Sequence, residues 1–429
     1  MGVKDTANLA LIPAAYKASK VYSALPTDGD GDFTFTRTGS GTRINKAGLI
    51  ETVGSNVPRL NYRLDADGNV SSCPELLLEP QRTNSTTYSE DFTQTSYWGN
   101  VIDVVVTKNQ TTAPNGSNTA NKIQANSGSN FKILRTSAFT IPSGITMSMF
   151  VKRGNHDYIV FKAQGDYNFN LSTLEWGSNY SNVGYQLYPN DWVRLYATTS
   201  SSVLSYFGIY LTDSSFNQSW NATGNEYVYV WGAQYETSSF RTSYIPTLTG
   251  SAVTRNKDQA YKANFADLAS DYPITVYWKG RILEYNGFNC AFSLIEDGQA
   301  GEFLLVSFNT SSQVLVRRAR GGSEDVDFIT YNTQLGDVKK IAIKFTSATS
   351  YVLYIDGIEI YKESSGTSRL WNYDSVLVGQ FRISADTGQR NPADELFIFN
   401  KALTDAEMVE VTSYTSFTEM ATQQQFTIQ

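Results

Sequence analysis

The chain has 429 residues, 41% of them hydrophobic and 13% aromatic, which is more than one ordinary sandwich needs and points to two or three domains. A net charge of −7 argues against sequence-independent binding to phosphate backbones, which takes clustered Lys and Arg. Two cysteines far apart in sequence, Cys73 and Cys290, exclude a disulfide framework and are expected to be small buried hydrophobes.

Only 17% of residues are charged, while 27 Tyr and 23 Phe stand among frequent Ser, Thr and Asn. Those residue types suit pleated, half-buried surfaces, so the fold class expected is mostly β. No apolar run reaches the roughly 18 residues of a membrane helix, so no insertion is expected. The stretch Leu9–Ala15 is broken by Pro13 and met by Lys17 and Lys20, a poor secretion signal.

In chain order, residues 1–89 form a first zone. A short helix is expected near its start, with Pro13 in the first turn and apolar Ile12, Ala15, Tyr16 and Val21. Asp28-Gly29-Asp30-Gly31-Asp32 then precedes the alternating strand Phe33-Thr34-Phe35-Thr36-Arg37, and Asp65-Ala66-Asp67-Gly68-Asn69 marks a second reversal. Pro58, Pro74 and Pro80 keep the zone extended. It cannot close a large core of its own, and reads as an extended N-terminal docking segment that lies along another surface.

Residues 90–255 are a run of short strands without intervening helices, the pattern of a sandwich or jelly roll. The clearest strand is Glu226 to Gln234, with Tyr227, Tyr229 and Trp231 on one face and Val228 and Val230 on the other. Residues 256–414 repeat the style as a second antiparallel sandwich. Its best hairpin joins Val352-Leu353-Tyr354-Ile355 to Ile358-Glu359-Ile360 through Asp356-Gly357, a dipeptide suited to a type I′ turn. Thr404-Asp405-Ala406-Glu407 supplies a capping box for a short helix through about Val411. Residues 415–429 are a polar tail. The basic run Arg317-Arg318-Ala319-Arg320 faces Glu324, Asp325 and Asp327, as a solvated strand end or hairpin would.

Three pieces resemble bacteriophage tail-fibre and virion-appendage proteins. They are Phe33–Arg37 with Thr42–Glu51 and Asn56–Leu60; Leu76-Leu77-Leu78-Glu79-Pro80-Gln81-Arg82-Thr83-Asn84 leading into Tyr88–Phe92; and Trp231-Gly232-Ala233-Gln234-Tyr235-Glu236 with Ser243–Thr247 and Val253-Thr254-Arg255. The resemblance implies a carbohydrate-binding-module-like jelly roll over 90–255. The third zone resembles concanavalin A-like (laminin G-like) sandwiches through Tyr354–Gly357, Gly379 and Asp394–Thr404. That fold hosts lectins, adhesion modules and glycosidases alike. Together the resemblances imply a virion-surface protein made in the bacterial host cytoplasm. Its N-terminal segment would meet other virion proteins, it would self-associate (as a trimer, by resemblance), and its loops would reach host cell-surface glycans. A purely architectural capsid or collar protein is the alternative, and a polysaccharide depolymerase the third.

The chemistry is sparse. The single histidine, His156, stands in Arg153-Gly154-Asn155-His156-Asp157, and a Ser/His/Asp arrangement would have to use it. A loop or strand-edge role fits it better, and a lone His gives no zinc site. Glycoside hydrolysis needs two facing carboxylates. The candidates Glu324-Asp325-Val326-Asp327 and Asp394-Glu395 do not form Glu-x-Asp-x-Glu, so no enzyme is expected and no catalytic residue is assigned. Asp28, Asp30 and Asp32 have the alternate spacing of an EF-hand loop, but Gly39 stands where its final Glu belongs, so they read as a turn. No cofactor is expected; calcium held by scattered loop oxygens has no motif. Sugar binding needs aromatic faces bordered by amides or carboxylates. Three clusters have that make-up: Asn170 with Trp176 and Tyr180, Trp220 with Asn221, and Trp371-Asn372-Tyr373.

Overall fold

Period-2 alternation lets one face of a strand be buried while the other stays polar, and most of this chain is built that way. The structure is a computed structural model that describes residues 2–264, 272–283, 285, 290–296, 302–320, 323–364, 373–379 and 391–413. Among these residues the strands pair antiparallel and build β-sandwiches, as the composition and strand spacing predict.

The first sandwich is a jelly roll spanning Asn100 to Thr237. One sheet runs in the order Asn100–Ile102, Gly128–Arg135, Gly208–Leu211, Tyr158–Lys162, Asp166–Asn170, Glu175–Trp176. The other runs Val104–Thr111, Ala120–Ala125, Tyr227–Thr237, Ile145–Arg153, Trp192–Thr198, Val183–Tyr188. Ile123, Met147, Ile159, Phe161, Leu195 and Val228 are among the buried residues between them. Tyr227–Thr237 changes phase midway: Val228 and Val230 point into this core before Gly232, and Ala233 after it. The register against Ile145–Arg153 shifts between Ser148 and Phe150, which marks a bulge. Gly232 has φ +61°, and a Cβ there would come within 2.8 Å of the Phe150 ring. Glycine suits that position on both counts.

The second sandwich corrects the picture of a first zone standing apart. Residues 1–89 do lie along another surface, but that surface is this chain's own sandwich. Leu9–Leu11 pairs with Ala393–Phe399, Leu9 opposite Ile398. Phe33–Thr36 pairs with Gln259–Lys262, and Glu75–Leu76 joins the edge at Ala393. Leu9, Leu11, Val21, Phe33, Phe35 and Leu76 share one core with Trp278, Ile343, Leu353 and Ile398. Strands of two to four residues cannot bury one another, so they complete the sheets of a larger partner. The helix expected near residues 12–21 is absent. Tyr16–Lys17 and Lys20–Val21 form a tight hairpin with Ser19 at φ +67°, and Val21 is wholly buried. Partners in the sheet outweigh the local helical spacing.

Several local expectations hold. Asp356 and Gly357 have φ +49° and +84°, the signs of a type I′ turn, and join Ser350–Ile355 to Ile358–Glu363. Thr404 and Glu407 exchange capping hydrogen bonds, Thr404 N to Glu407 Oε2 at 2.7 Å and Glu407 N to Thr404 Oγ1 at 3.2 Å, and the helix is Asp405–Ser413. Arg317–Glu324 (2.5 Å) and Arg318–Asp327 (3.5 Å) bridge neighbouring strands of a hairpin, although Arg318 is buried rather than solvated and lies 5.1 Å from the Tyr351 ring. Cys290 is buried, whereas Cys73 is exposed between turns. No helix among the described residues is long and apolar enough to cross a membrane.

The two sandwiches meet in a buried ionic knot. Arg59 donates to Glu79 (2.7 Å) and to Asp258; Arg37 pairs with Asp258 (3.0 Å) and Arg255 with Glu79 (2.8 Å). All five side chains are at most 4% exposed. Glu79 also accepts from the Ser243 N–H at 2.7 Å and its hydroxyl at 2.6 Å. Burial alone would raise the Glu79 pKa, but Arg255 and Arg59 outweigh it and hold the carboxyl well below the usual range. Burial likewise opposes the Arg59 charge, yet Asp258 and Glu79 keep its pKa above the ordinary value. Asn84 adds a second tie, donating to the carbonyls of Ala233 (3.1 Å) and Ile245 (2.8 Å).

Candidate ligand-binding site

The aromatic clusters singled out from sequence are placed differently from one another. Trp176 and Tyr180 come together, ring centroids 6.2 Å apart, but both pack against the jelly-roll core, Trp176 on Phe169 at 4.7 Å and Tyr180 on Tyr167 at 5.1 Å. Asn170 spends its carbonyl oxygen on the N–H groups of Ser172 (2.8 Å) and Thr173 (3.3 Å), closing a local turn. Trp220 stacks on His156 at 5.3 Å and donates to the Leu211 carbonyl at 3.0 Å, while Asn221 beside it is exposed. His156 is itself buried, its Nε2 2.9 Å from the Thr212 carbonyl oxygen, and burial pulls its pKa down. Tyr373, expected in a loop, is 5% exposed and sits in the second sandwich's core; Trp371 and Asn372 lie outside the described residues. The Asp28–Asp32 stretch is a turn, with Asp28 accepting from the Asp30 N–H at 3.0 Å and Asp32 paired with Lys20 at 3.0 Å. Among the described residues, no group of three His, Cys, Asp or Glu could hold a metal ion.

A larger site lies where all three zones meet, above the knot. On Val183–Tyr188 and Trp192–Thr198 the pairs Gly184↔Tyr196, Gln186↔Arg194 and Tyr188↔Trp192 share the outer face, while Leu187, Val193, Leu195 and Ala197 face the core. That outer face forms one wall of a cavity of about 730 Å³. The loop through Phe240, Arg241 and Ser243 forms a second wall. Arg43 and Arg63 from the first zone and Arg281 and Val338 from the second sandwich close it. Gly184 has no Cβ, which leaves room for the Tyr196 ring opposite it.

The cavity is rich in guanidinium groups, and their partners separate them into two sets. Arg43 is bound to Glu51 (3.0 Å), Arg63 to Asp394 (2.9 Å) and Arg281 to Glu75 (2.6 Å). Arg194 has only neutral acceptors: the Ser148 hydroxyl at 3.0 Å and the Thr242 carbonyl at 2.9 Å. Arg241 is half-buried with its guanidinium 4.2 Å from the centroid of Tyr196, and makes no hydrogen bond or ion pair to the described residues. Burial pulls the Arg241 pKa below its ordinary value, and the charges of Arg194 and Arg281 act in the same direction. None of the sequence-selected aromatic residues lines this cavity. No sequence signal marked Arg194 or Arg241, since what distinguishes them is the want of a carboxylate neighbour in space.

No protein-family model matches the chain, and no curated protein does. Solved structures do. The CBM40 module of a Ruminococcus gnavus IT-sialidase, bound to alpha2,3 sialyllactose, is 13% identical with a TM-score of 0.29, over 33% of this chain and 83% of that one. The NanB sialidase of Streptococcus pneumoniae is 18% identical with a TM-score of 0.29, over 34% of this chain and 24% of that one, so this chain spans about a quarter of the sialidase. A heptameric SAP-like pentraxin of Limulus polyphemus is 13% identical with a TM-score of 0.29, over 34% and 72%. The expectation that the chain is no enzyme is corrected here, because sialidases stand among its structural matches. Likeness at this level concerns β-sandwich portions and assigns neither ligand nor activity.

Proposed function

We propose that this chain is a glycan-binding subunit of a bacteriophage appendage, and that the cavity between its sandwiches is where the glycan sits. The observation that carries the binding reading is the make-up of that cavity. Tyr188 offers ring surface, and Gln186, Ser239 and the arginines border it with hydrogen-bonding groups. Sugars are held in that way, an apolar ring against C–H groups and fixed polar groups on the hydroxyls.

The appendage part rests on the resemblance of Leu76–Asn84, Trp231–Glu236, Ser243–Thr247 and Val253–Arg255. Glu79, Asn84, Ser243 and Arg255, which belong to those stretches, tie the sandwiches together. In this reading the protein stands on the virion surface as a homo-oligomer, the outer surface of residues 1–89 meets other virion proteins, and weak sites repeated on a symmetric particle gain from effective concentration. The test is a glycan array probed with the purified full chain and with Tyr188→Ala. Binding by the parent and a loss of roughly fivefold or more in the variant are expected, since a stacked aromatic contributes on the order of 1 kcal/mol beyond area burial. A full-length protein of unchanged melting temperature that binds no glycan would leave the architectural alternative.

A further inference from the structure

We propose that the ligand of the inter-sandwich cavity is an acidic saccharide, with its carboxylate held by Arg241. The inference rests on the glycan reading above and adds the chemical class.

A guanidinium carries five N–H donors in a planar fork and stays charged at any physiological pH. Enclosing one without an acceptor is costly, which is why buried arginines elsewhere in this chain are paired, as Arg37, Arg59 and Arg255 are. Arg241, which is half-buried, has no such partner among the described residues. Its guanidinium lies over the Tyr196 ring, 4.2 Å from the centroid, and its donors meet no acceptor among the described residues. Arg194, bound to neutral oxygens only, lines the same cavity. The carboxylates that line it do not cancel this charge: Glu79 is committed to Arg59 and Arg255, and Asp65 turns its oxygens to Asn69 at 2.8 and 3.1 Å. The cavity therefore carries uncompensated positive charge beside ring surface and hydrogen-bonding groups. A planar carboxylate matches the fork in a bidentate manner, and a sugar ring bearing it would extend toward Tyr188 and Gln186.

Two sources of oxyanion share this chemistry, a uronic-type carboxylate and a phosphate, and the assignment is to the carboxylate. The experiment is a titration of the full-length protein with sodium glucuronate, glucose and inorganic phosphate, followed by calorimetry or by ligand-observed NMR. It is repeated on Arg241→Gln and Arg241→Lys, with melting temperatures recorded for each. Glucuronate should bind at least about tenfold more tightly than glucose. Arg241→Gln should abolish that preference and leave glucose unchanged, and Arg241→Lys should keep part of it through charge without the fork. Equal binding of glucuronate and glucose, insensitive to Arg241→Gln, would overturn the acidic class while the glycan reading stands. Phosphate competing as strongly as glucuronate would overturn the carboxylate assignment. No binding of any of the three by a folded protein would overturn both.

Discussion

Glu79 is the residue on which the two sandwiches turn. Its carboxylate receives Arg59, Arg255 and both donors of Ser243, four contacts from three separate parts of the chain. Removing one member of a buried charged network leaves the others uncompensated, so Glu79→Ala should destabilise the protein by about 3–5 kcal/mol in denaturant unfolding. The same carboxyl gives the knot a pH dependence. Its pKa is held well below the usual range in the fold, whereas it is near 4.5 when unfolded. Between those values the unfolded chain binds the additional proton, so stability should fall as pH drops below about 5 and be fully present above it. A pH series of melting temperatures on the parent and Glu79→Gln checks this: the acid slope should be shallower in the variant.

At the scale of elements, hairpins and bulges are where single residues decide the geometry. Gly357 closes the turn between Ser350–Ile355 and Ile358–Glu363 at φ +84°. A side chain in that left-handed region costs about 1–2 kcal/mol, so Gly357→Ala should lower stability by that amount in denaturant titrations. The sequence announced this element because an Asp-Gly pair between alternating apolar residues has few other uses. The bulge at Gly232 carried no comparable signal. Alternation through Tyr227, Val228, Tyr229 and Val230 was legible, but the change of phase beyond Trp231 depends on the Phe150 ring of the neighbouring strand. Aromatic clusters were the least legible feature. Trp176, Tyr180 and Tyr373 have the residue types of a sugar site, yet packing against a core uses the same ring surface, and composition does not separate the two.

For the whole molecule, the first zone is the part whose role changed most. Leu9, Leu11, Val21, Phe33 and Phe35 are wholly buried in the second sandwich, so these residues are components of its core. Deleting residues 2–61 should therefore expose that core. Raised binding of a hydrophobic dye and loss of the cooperative melt of the second sandwich are the expected outcomes, whereas an appended arm could be removed without either. The same interleaving creates the candidate site. The walls of the cavity come from residues 42–79, 186–198, 239–244 and 281–338, which are distant in sequence.

The sequence by itself determined the local geometry: antiparallel strands from period-2 alternation, the type I′ hairpin at Asp356-Gly357, and the capped helix after Thr404. These follow from interactions within a few residues, which any stretch carries with it. Only the tertiary structure decided that Leu9 pairs with Ile398, that Arg37, Arg59, Glu79, Arg255 and Asp258 neutralise one another, and that Arg241 does not take part. Pairing across such separations depends on which edges and charges remain unsatisfied after the local elements have formed. That is a property of the folded arrangement, and no segment holds it alone.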